Sequence, residues 1–217
     1  GAACHVPGRN IEAMKSAGTV FLRTSVHPAA DKLRGSLGGF KSFDSLFEEC
    51  TSFDEVYRGI CDTVLDEASR GGIVAYAVPG HPFFGEATVG MVIEGARERG
   101  IRYEVYPAMS FLDSVVATLE IDPLSGLEIA DAAGIIRNPP LGNRGVILSQ
   151  VYNQKIASDV RLTLMTRYPE RHNIALVSAT GAPGGDRVAW VPVCDMDRQA
   201  VSHMTTIYVP PLQDAPR

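Results

Sequence analysis

Cysteine is scarce in this chain. Cys4, Cys50, Cys61 and Cys194 are the only four in 217 residues; no two form a Cys-x-x-Cys pair and none has a histidine at metal-ligand spacing. This argues against a zinc knuckle or any other bound metal, and the thiols are expected to be reduced and mostly buried. Long apolar runs are missing as well. The longest are strand-sized, far short of the roughly 20 residues that cross a bilayer, and no basic stretch followed by an apolar core opens the chain. The expected compartment is the cytoplasm, with no membrane partner. Positive charge is in deficit, with 20 Lys and Arg against 25 Asp and Glu and a net charge of -5. The basic residues are scattered, which disfavours a nucleic-acid binder that works by neutralising phosphates.

The usual chemical signatures are also lacking. There is no Gly-x-x-x-x-Gly-Lys-Ser/Thr, no Gly-x-Gly-x-x-Gly opening a helix after a strand, no Gly-x-Ser-x-Gly elbow and no His-Glu-x-x-His pair. Phosphate-cradling, serine-hydrolase and metal-dependent classes lose ground together. Ser110 and Ser178 have no histidine in any recognised arrangement and are poor nucleophiles. No catalytic acid or base is identified.

What is present is an α/β pattern. Strand-like runs at Thr19–Leu22, Ile73–Val78, Arg102–Tyr106, Gly145–Val151, Asn173–Ser178, Val188–Val193 and Thr205–Val209 alternate with helical periodicity. Phe53, Val56, Tyr57, Ile60, Val64 and Ala68 recur at helical spacing behind a Ser52/Glu55 capping box. Further helices are predicted over Asn10–Ala17, Gly85–Arg99, from Ser110 onward, and over Lys155–Tyr168. The pattern breaks around Ile121-Asp-Pro-Leu-Ser-Gly126, and a domain boundary is expected near residues 112–122. Two α/β domains are expected, 1–114 with a mostly parallel sheet and 115–217 with a mixed sheet in which Val188–Val193 and Thr205–Val209 pair antiparallel.

The most informative segment is Ile73-Val-Ala-Tyr-Ala-Val-Pro-Gly-His-Pro-Phe-Phe-Gly-Glu-Ala-Thr88. An unbroken apolar run suits a parallel strand covered on both faces, and in such sheets ligands gather beyond the carboxyl ends of the strands. The Pro/Gly turn exposes backbone there. A site made of backbone and apolar walls suits S-adenosylmethionine, which carries an electrophilic methyl group and demands little acid-base machinery. On the residues alone it is one candidate among several.

A resemblance adds to this reading. Val78-Pro-Gly-His-Pro-Phe-Phe-Gly-Glu-Ala-Thr88 resembles the Gly-Asp/His-Pro loop of the tetrapyrrole (corrin/porphyrin) methylase superfamily, and Tyr106-Pro-Ala-Met-Ser-Phe-Leu112 resembles its Pro-Gly-Val-Ser-Ser helix start. Gln150-Val-Tyr-Asn153, Leu176-Val-Ser-Ala-Thr180 and Thr205-Thr-Ile-Tyr-Val-Pro-Pro-Leu212 continue the match in order. Phe21-Leu-Arg-Thr24 with His27-Pro28, Phe53–Tyr57 and the final Tyr-Val-Pro-Pro are most similar to the methylase-like domain associated with MazG-type pyrophosphohydrolases. Two features depart from the pattern. His81 stands where many relatives have Asp, and the opening Gly-x-Gly-Pro-Gly-Asp turn is reduced to Gly1-Ala-Ala-Cys-His-Val-Pro-Gly8.

The resemblance implies two α/β domains around an interdomain cleft, a homodimer, and S-adenosylmethionine as cofactor. It assigns cofactor contacts to Gly80, His81, Phe83, Phe84, Met109, Ser110, Val151, Tyr152, Ala179, Thr180 and Thr205. Arg23, Thr24 and His27 are candidates for a small-molecule substrate, although an arginine after a strand is more often a solvated charge. By residue type alone, His81 would only bond its neighbour's backbone, Asn153 would only serve a turn, and one of Phe83 and Phe84 would be core with the other a pocket wall. The implied activity is methyl transfer to an unknown acceptor. A corrin or porphyrin would call for converging arginines, for which Arg23, Arg137, Arg144 and Arg187 are available. The alternative is a non-catalytic cofactor-binding or regulatory module working with a nucleotide pyrophosphohydrolase, consistent with the reduced first loop.

Overall fold

The computed structural model describes residues 6–178, 187–202 and 204–212, which form two compact units, 1–111 and 112–217. Cys4, Ala179, Thr180 and the Gly181–Asp186 connection lie outside the described residues. Each unit has its own sheet and its own core.

The first unit runs α1 (Gly8–Lys15), β1 (Thr19–Leu22), α2 (Pro28–Ser36), β2 (Lys41–Ser42), α3 (Asp44–Glu49), α4 (Phe53–Ser69), β3 (Val74–Ala77) and α5 (Ala87–Glu98). Its three strands are parallel in the order β2-β1-β3, with Phe21 opposite Lys41 on one side and Tyr76 on the other. Successive strand residues face opposite sides, and in β1 both sides are buried. Val20 and Leu22 pack with Ile11, Met14 and Leu33 of the first two helices. Phe21 packs with Phe43, Val56, Ile60 and Val64, stacking on Phe43 at 5.2 Å. The apolar run of β1 therefore reflects two cores rather than one.

Local chemistry sets the helix starts. The Ser52 hydroxyl accepts from the Glu55 backbone N–H, and the Glu55 carboxylate reaches back to the Thr51 N–H at 3.0 Å, which closes the predicted box around the start of α4. His27 Nδ1 accepts from the Ala29 N–H and caps α2, a role distinct from the substrate contact expected of it.

The second unit carries α6 (Phe111–Leu119) except for its first residue, which belongs to the first unit, then β4 (Leu127–Asp131), α7 (Ala132–Arg137), β5 (Gly145–Ser149), α8 (Gln154–Leu164), β6 (Asn173–Ser178), β7 (Arg187–Pro192) and β8 (Thr206–Val209). The sheet order is β4-β5-β8-β6-β7, parallel only between β4 and β5. It is the mixed sheet expected, with one correction: β7 and β8 do not pair with each other, because β6 lies between them and bonds to both. Val146, Leu148, Ile174, Leu176 and Ile207 pack against Ala157, Val160 and Leu164 of α8.

Residues 102–106, predicted as a strand, have no strand partner among the described residues. β3 is an edge strand, and a cavity of about 800 Å³ separates its free side from this segment. Without a ladder partner an extended run gains no backbone hydrogen bonds, so the β-prone Tyr103, Val105 and Tyr106 alone overstate the strand. Among the described residues no helix is long and apolar enough to cross a membrane, and no three His, Cys, Asp or Glu side chains gather as a metal site. Cys61 is buried, and burial pushes its thiol up to about 11; Cys50 and Cys194 are only partly buried.

Two substitutions test this packing. A Cβ on Gly95 of α5 would lie 2.4 Å from Leu65 Cδ1 of α4, so Gly95→Val is expected to lose about 1–3 kcal/mol through overpacking, despite valine's better helix propensity than glycine's. Leu148→Ala, at a site with no solvent exposure, is expected to cost about 2–5 kcal/mol. Urea denaturation measures both; an unchanged midpoint in either variant would refute the packing described.

Candidate functional site

The carboxyl end of β3 runs into the turn Val78-Pro-Gly-His-Pro-Phe-Phe-Gly, and a backbone elbow there requires glycine. Gly80 has φ +78, a region that L side chains enter only at a cost of roughly 1–2 kcal/mol. A Cβ at this position would sit 3.6 Å from the carbonyl oxygen of Met109. The elbow after β3 and the segment leading into α6 thus meet, backbone to backbone. Phe84 and Phe111 add an edge-on ring contact at 6.2 Å. Both elbows belong to the first unit, and Gly80, Pro82, Ala108 and Met109 are among the residues that line the 800 Å³ cavity.

His81 shows the bland behaviour of a turn histidine: its Nδ1 accepts from the Phe83 N–H at 3.2 Å and its carbonyl from the Phe84 N–H. The ring also lies edge-on to Phe84 at 5.4 Å, so the histidine shapes the loop from inside. Neither phenylalanine is core, since Phe83 is 59% and Phe84 37% exposed. The division into one core ring and one wall ring is therefore wrong: the loop bends away from both clusters of the unit and holds both rings outward. Ser110 is buried and Met109 exposed.

Behind the loop lies a polar network that the sequence did not reveal. Glu86 is almost wholly buried. Its Oε2 is 3.0 Å from Arg23 Nε, its Oε1 accepts from the Thr88 hydroxyl at 2.9 Å, and that hydroxyl meets the Tyr76 hydroxyl at 2.8 Å. Burial pushes the Glu86 carboxyl up, against the pull of the Arg23 charge and the Thr88 hydrogen bond. Burial likewise raises Tyr76 well beyond the usual phenol range. The Arg23 N–H is poorly aligned with the carboxylate, so charge rather than a shaped hydrogen bond holds the pair. Arg23 also lies over the Phe47 ring, 5.7 Å from its centroid.

The three substrate candidates are already engaged. Arg23 is paired with Glu86. Thr24 donates to Asp44 at 2.6 Å, beside the Ser25 hydroxyl and backbone N–H. His27 caps α2 and also lines the cavity. Asp44 feels some desolvation, which would raise it, but the hydrogen bonds from Ser25 and Thr24 win and hold it at about 2.

In the second unit, register gathers the remaining candidates at one sheet edge. β8 pairs with β5 through Leu148 opposite Ile207 and with β6 through Val177 opposite Thr206, so the carboxyl ends of β5 and β6 flank the start of β8. Thr205 is buried there, accepting from the Ser202 N–H at 2.9 Å. Val151 is fully buried and Tyr152 half exposed, with Asn153 capping α8 through the Ile156 N–H. Between β5 and Val151, Gln150 adopts φ +62, an uncommon conformation for a non-glycine residue. Only the Gln-Val-Tyr-Asn motif hinted at this turn.

Comparison with known proteins decides what this arrangement belongs to. The model of the tetrapyrrole (corrin/porphyrin) methylases matches residues 1–193. The chain belongs to the tetrapyrrole methylase family. An uncharacterised protein, YabN of Bacillus subtilis (strain 168), is 35% identical over 202 residues, 93% of this chain but 41% of that protein; the chain spans about two fifths of that relative's length. Among solved structures, the uroporphyrin-III C-methyltransferase of Thermus thermophilus aligns with a TM-score of 0.72 at 19% identity, over 97% of this chain and 90% of that one. A cobalt precorrin-4 methyltransferase of cobalamin biosynthesis gives 0.73 at 13%, over 96% and 90%. These establish the fold of this tetrapyrrole methylase family member as α/β with one parallel and one mixed sheet.

Asp44 generates a pH prediction. Its folded-state value of about 2 lies below the ordinary 3.8, so the stability it contributes is present above pH 3.8 and is lost as pH falls from there toward 2. Asp44→Asn should flatten that segment of a stability-against-pH curve from urea melts. A variant curve parallel to wild type between pH 4 and 2 would show that the Thr24 and Ser25 bonds do not favour the carboxylate.

Proposed function

We propose that this chain is an S-adenosylmethionine-dependent methyltransferase acting on a small-molecule acceptor. The observation that carries the reading is the meeting of the Gly80 and Met109 elbows beyond the carboxyl end of β3, in a chain that belongs to the tetrapyrrole methylases. An elbow free of side chains lets a ligand approach backbone donors and acceptors directly, which suits the amino-acid end of the cofactor, and the outward Phe83 and Phe84 rings suit its adenine. The resemblance also assigns cofactor contacts to Val151, Tyr152 and Thr205, which gather at one end of the second unit's sheet, and to Ala179 and Thr180.

When bound, the cofactor supplies a sulfonium-activated methyl group. The residues then have to hold and orient rather than to move protons: transfer is an in-line displacement, and correct placement can account for much of the rate. The loop backbone would position the donor, His81 would keep the loop in shape through Phe83, and the apolar rings would exclude water. No catalytic base is required of an acceptor that is itself nucleophilic.

The finer placement is with the methylase-like domains that accompany MazG-type pyrophosphohydrolases. It is supported by Phe21-Leu-Arg-Thr24 and Tyr208-Val-Pro-Pro211. In that setting the protein would work as a homodimer, which light scattering would test, in the cytoplasm and without nucleic acid.

Calorimetry with S-adenosylmethionine and S-adenosylhomocysteine, followed by methyl release on a panel of tetrapyrrole and other small acceptors, tests the proposal. Saturable binding and turnover are expected. Binding without turnover on any acceptor would favour the non-catalytic module, and no binding would refute both. His81→Ala is expected to weaken S-adenosylhomocysteine binding about tenfold, roughly 1.4 kcal/mol, with an unchanged melting temperature; unaltered affinity would place the cofactor elsewhere.

A further inference from the structure

Glu86 occupies the N-cap of α5, where Ser, Thr, Asp or Asn would bond the helix backbone, yet its side chain makes no cap hydrogen bond. It turns inward instead, to Arg23 at the end of β1 and to Thr88, which in turn meets Tyr76 on β3. A buried carboxylate is costly unless it is paired, so the local geometry favours these partners over solvent. Arg23 is itself fixed, since its backbone N–H donates to the Ala77 carbonyl at 2.9 Å, the last residue of β3 before the turn. The result is a closed circuit: Ala77 leads into the loop, Glu86 ends it, and Arg23 binds both ends.

We propose that Glu86 is a positioning residue, latched by Arg23, which holds the Pro79–Gly85 loop in the conformation that receives the methyl donor. Glu86 touches no donor itself; it acts through Gly80 and the His81–Phe83–Phe84 turn. The negative end of the latch also lies at the N-terminus of α5, where the helix dipole favours an anion. This assigns Arg23 to the loop rather than to the substrate. The donor-binding part rests on the function proposed above; the loop-holding part does not.

The two are separated by measuring both. In ligand-free protein, Glu86→Gln removes the charge at nearly constant shape, and hydrogen exchange of the Phe83 and Phe84 amides, bonded to His81 in the native loop, is expected to accelerate at least tenfold. The amides of Ile60 and Val64, in the buried face of α4 within the same unit, should remain protected and report an intact fold. S-adenosylhomocysteine affinity should fall about tenfold, and in steady state KM for the methyl donor should rise while kcat changes less than threefold. Arg23→Met should reproduce these effects. Arg23→Lys should retain most of the wild-type behaviour, because the pair depends on charge more than on the aligned fork of the guanidinium. The double variant Arg23→Met/Glu86→Gln should be no worse than the poorer single variant. Unchanged loop exchange in folded Glu86→Gln would overturn the latch. Faster exchange in a protein whose wild-type form binds no S-adenosylhomocysteine would leave the latch standing and remove the methyl-donor reading. Faster exchange with unaltered donor affinity would overturn the positioning role.

Discussion

The burial of β1 from both sides is the constraint on which the first unit depends. Val20 and Leu22 are held by the α1/α2 core and Phe21 by the α4 core, so the strand can neither slide nor flip without exposing one set. Its end at Arg23 is consequently fixed, and through Arg23 so is the carboxyl end of β3. The loop that follows inherits this rigidity. A turn of glycine, proline and exposed aromatic rings would otherwise have little to hold it, because it contributes almost nothing to either core.

The second unit solves the same problem by register. An antiparallel strand, β8, inserted between β5 and β6 brings three chain segments to one edge, although Tyr152, Ser178 and Thr205 are far apart in sequence. The buried Thr205 and the left-handed Gln150 sit at that edge, and local strain at Gln150 is tolerated because β5 before it and the capped α8 after it fix the backbone. The core below, with Leu148, Ile174 and Ile207, makes the edge a stable platform.

Much of the fold was legible because apolar periodicity reports burial. β1 and β6 were read to the residue, the long α4 through its capping box, and the mixed second sheet through its many short runs. The misreadings share one cause. Residues 102–106 carry a strand-like pattern without a neighbouring strand, and β7 was given the wrong partner, since a pattern says which face is buried and not which strand lies beside it. α2, β2, α3, β4 and α7 have two to nine residues each, too few for periodicity to mark them in the sequence. For the candidate site, the elbows at Gly80 and Met109 were legible from turn chemistry after an apolar run. The occupations of Arg23, Thr24 and His27 were not, because each depends on a residue distant in the chain or on a cap seen only once the helix is placed.

The sequence by itself determined that this is an α/β protein with a glycine elbow after an apolar strand and without the usual phosphate-loop and serine-hydrolase motifs; these follow from composition and local spacing, which act over a few residues. Tertiary structure alone decided that the Gly80 and Met109 elbows touch, that Glu86 turns inward to Arg23, and that Val151, Tyr152 and Thr205 share an edge. Those outcomes depend on strand order and register, which are set by the competition of distant segments for the same buried surface and leave no trace in any local window.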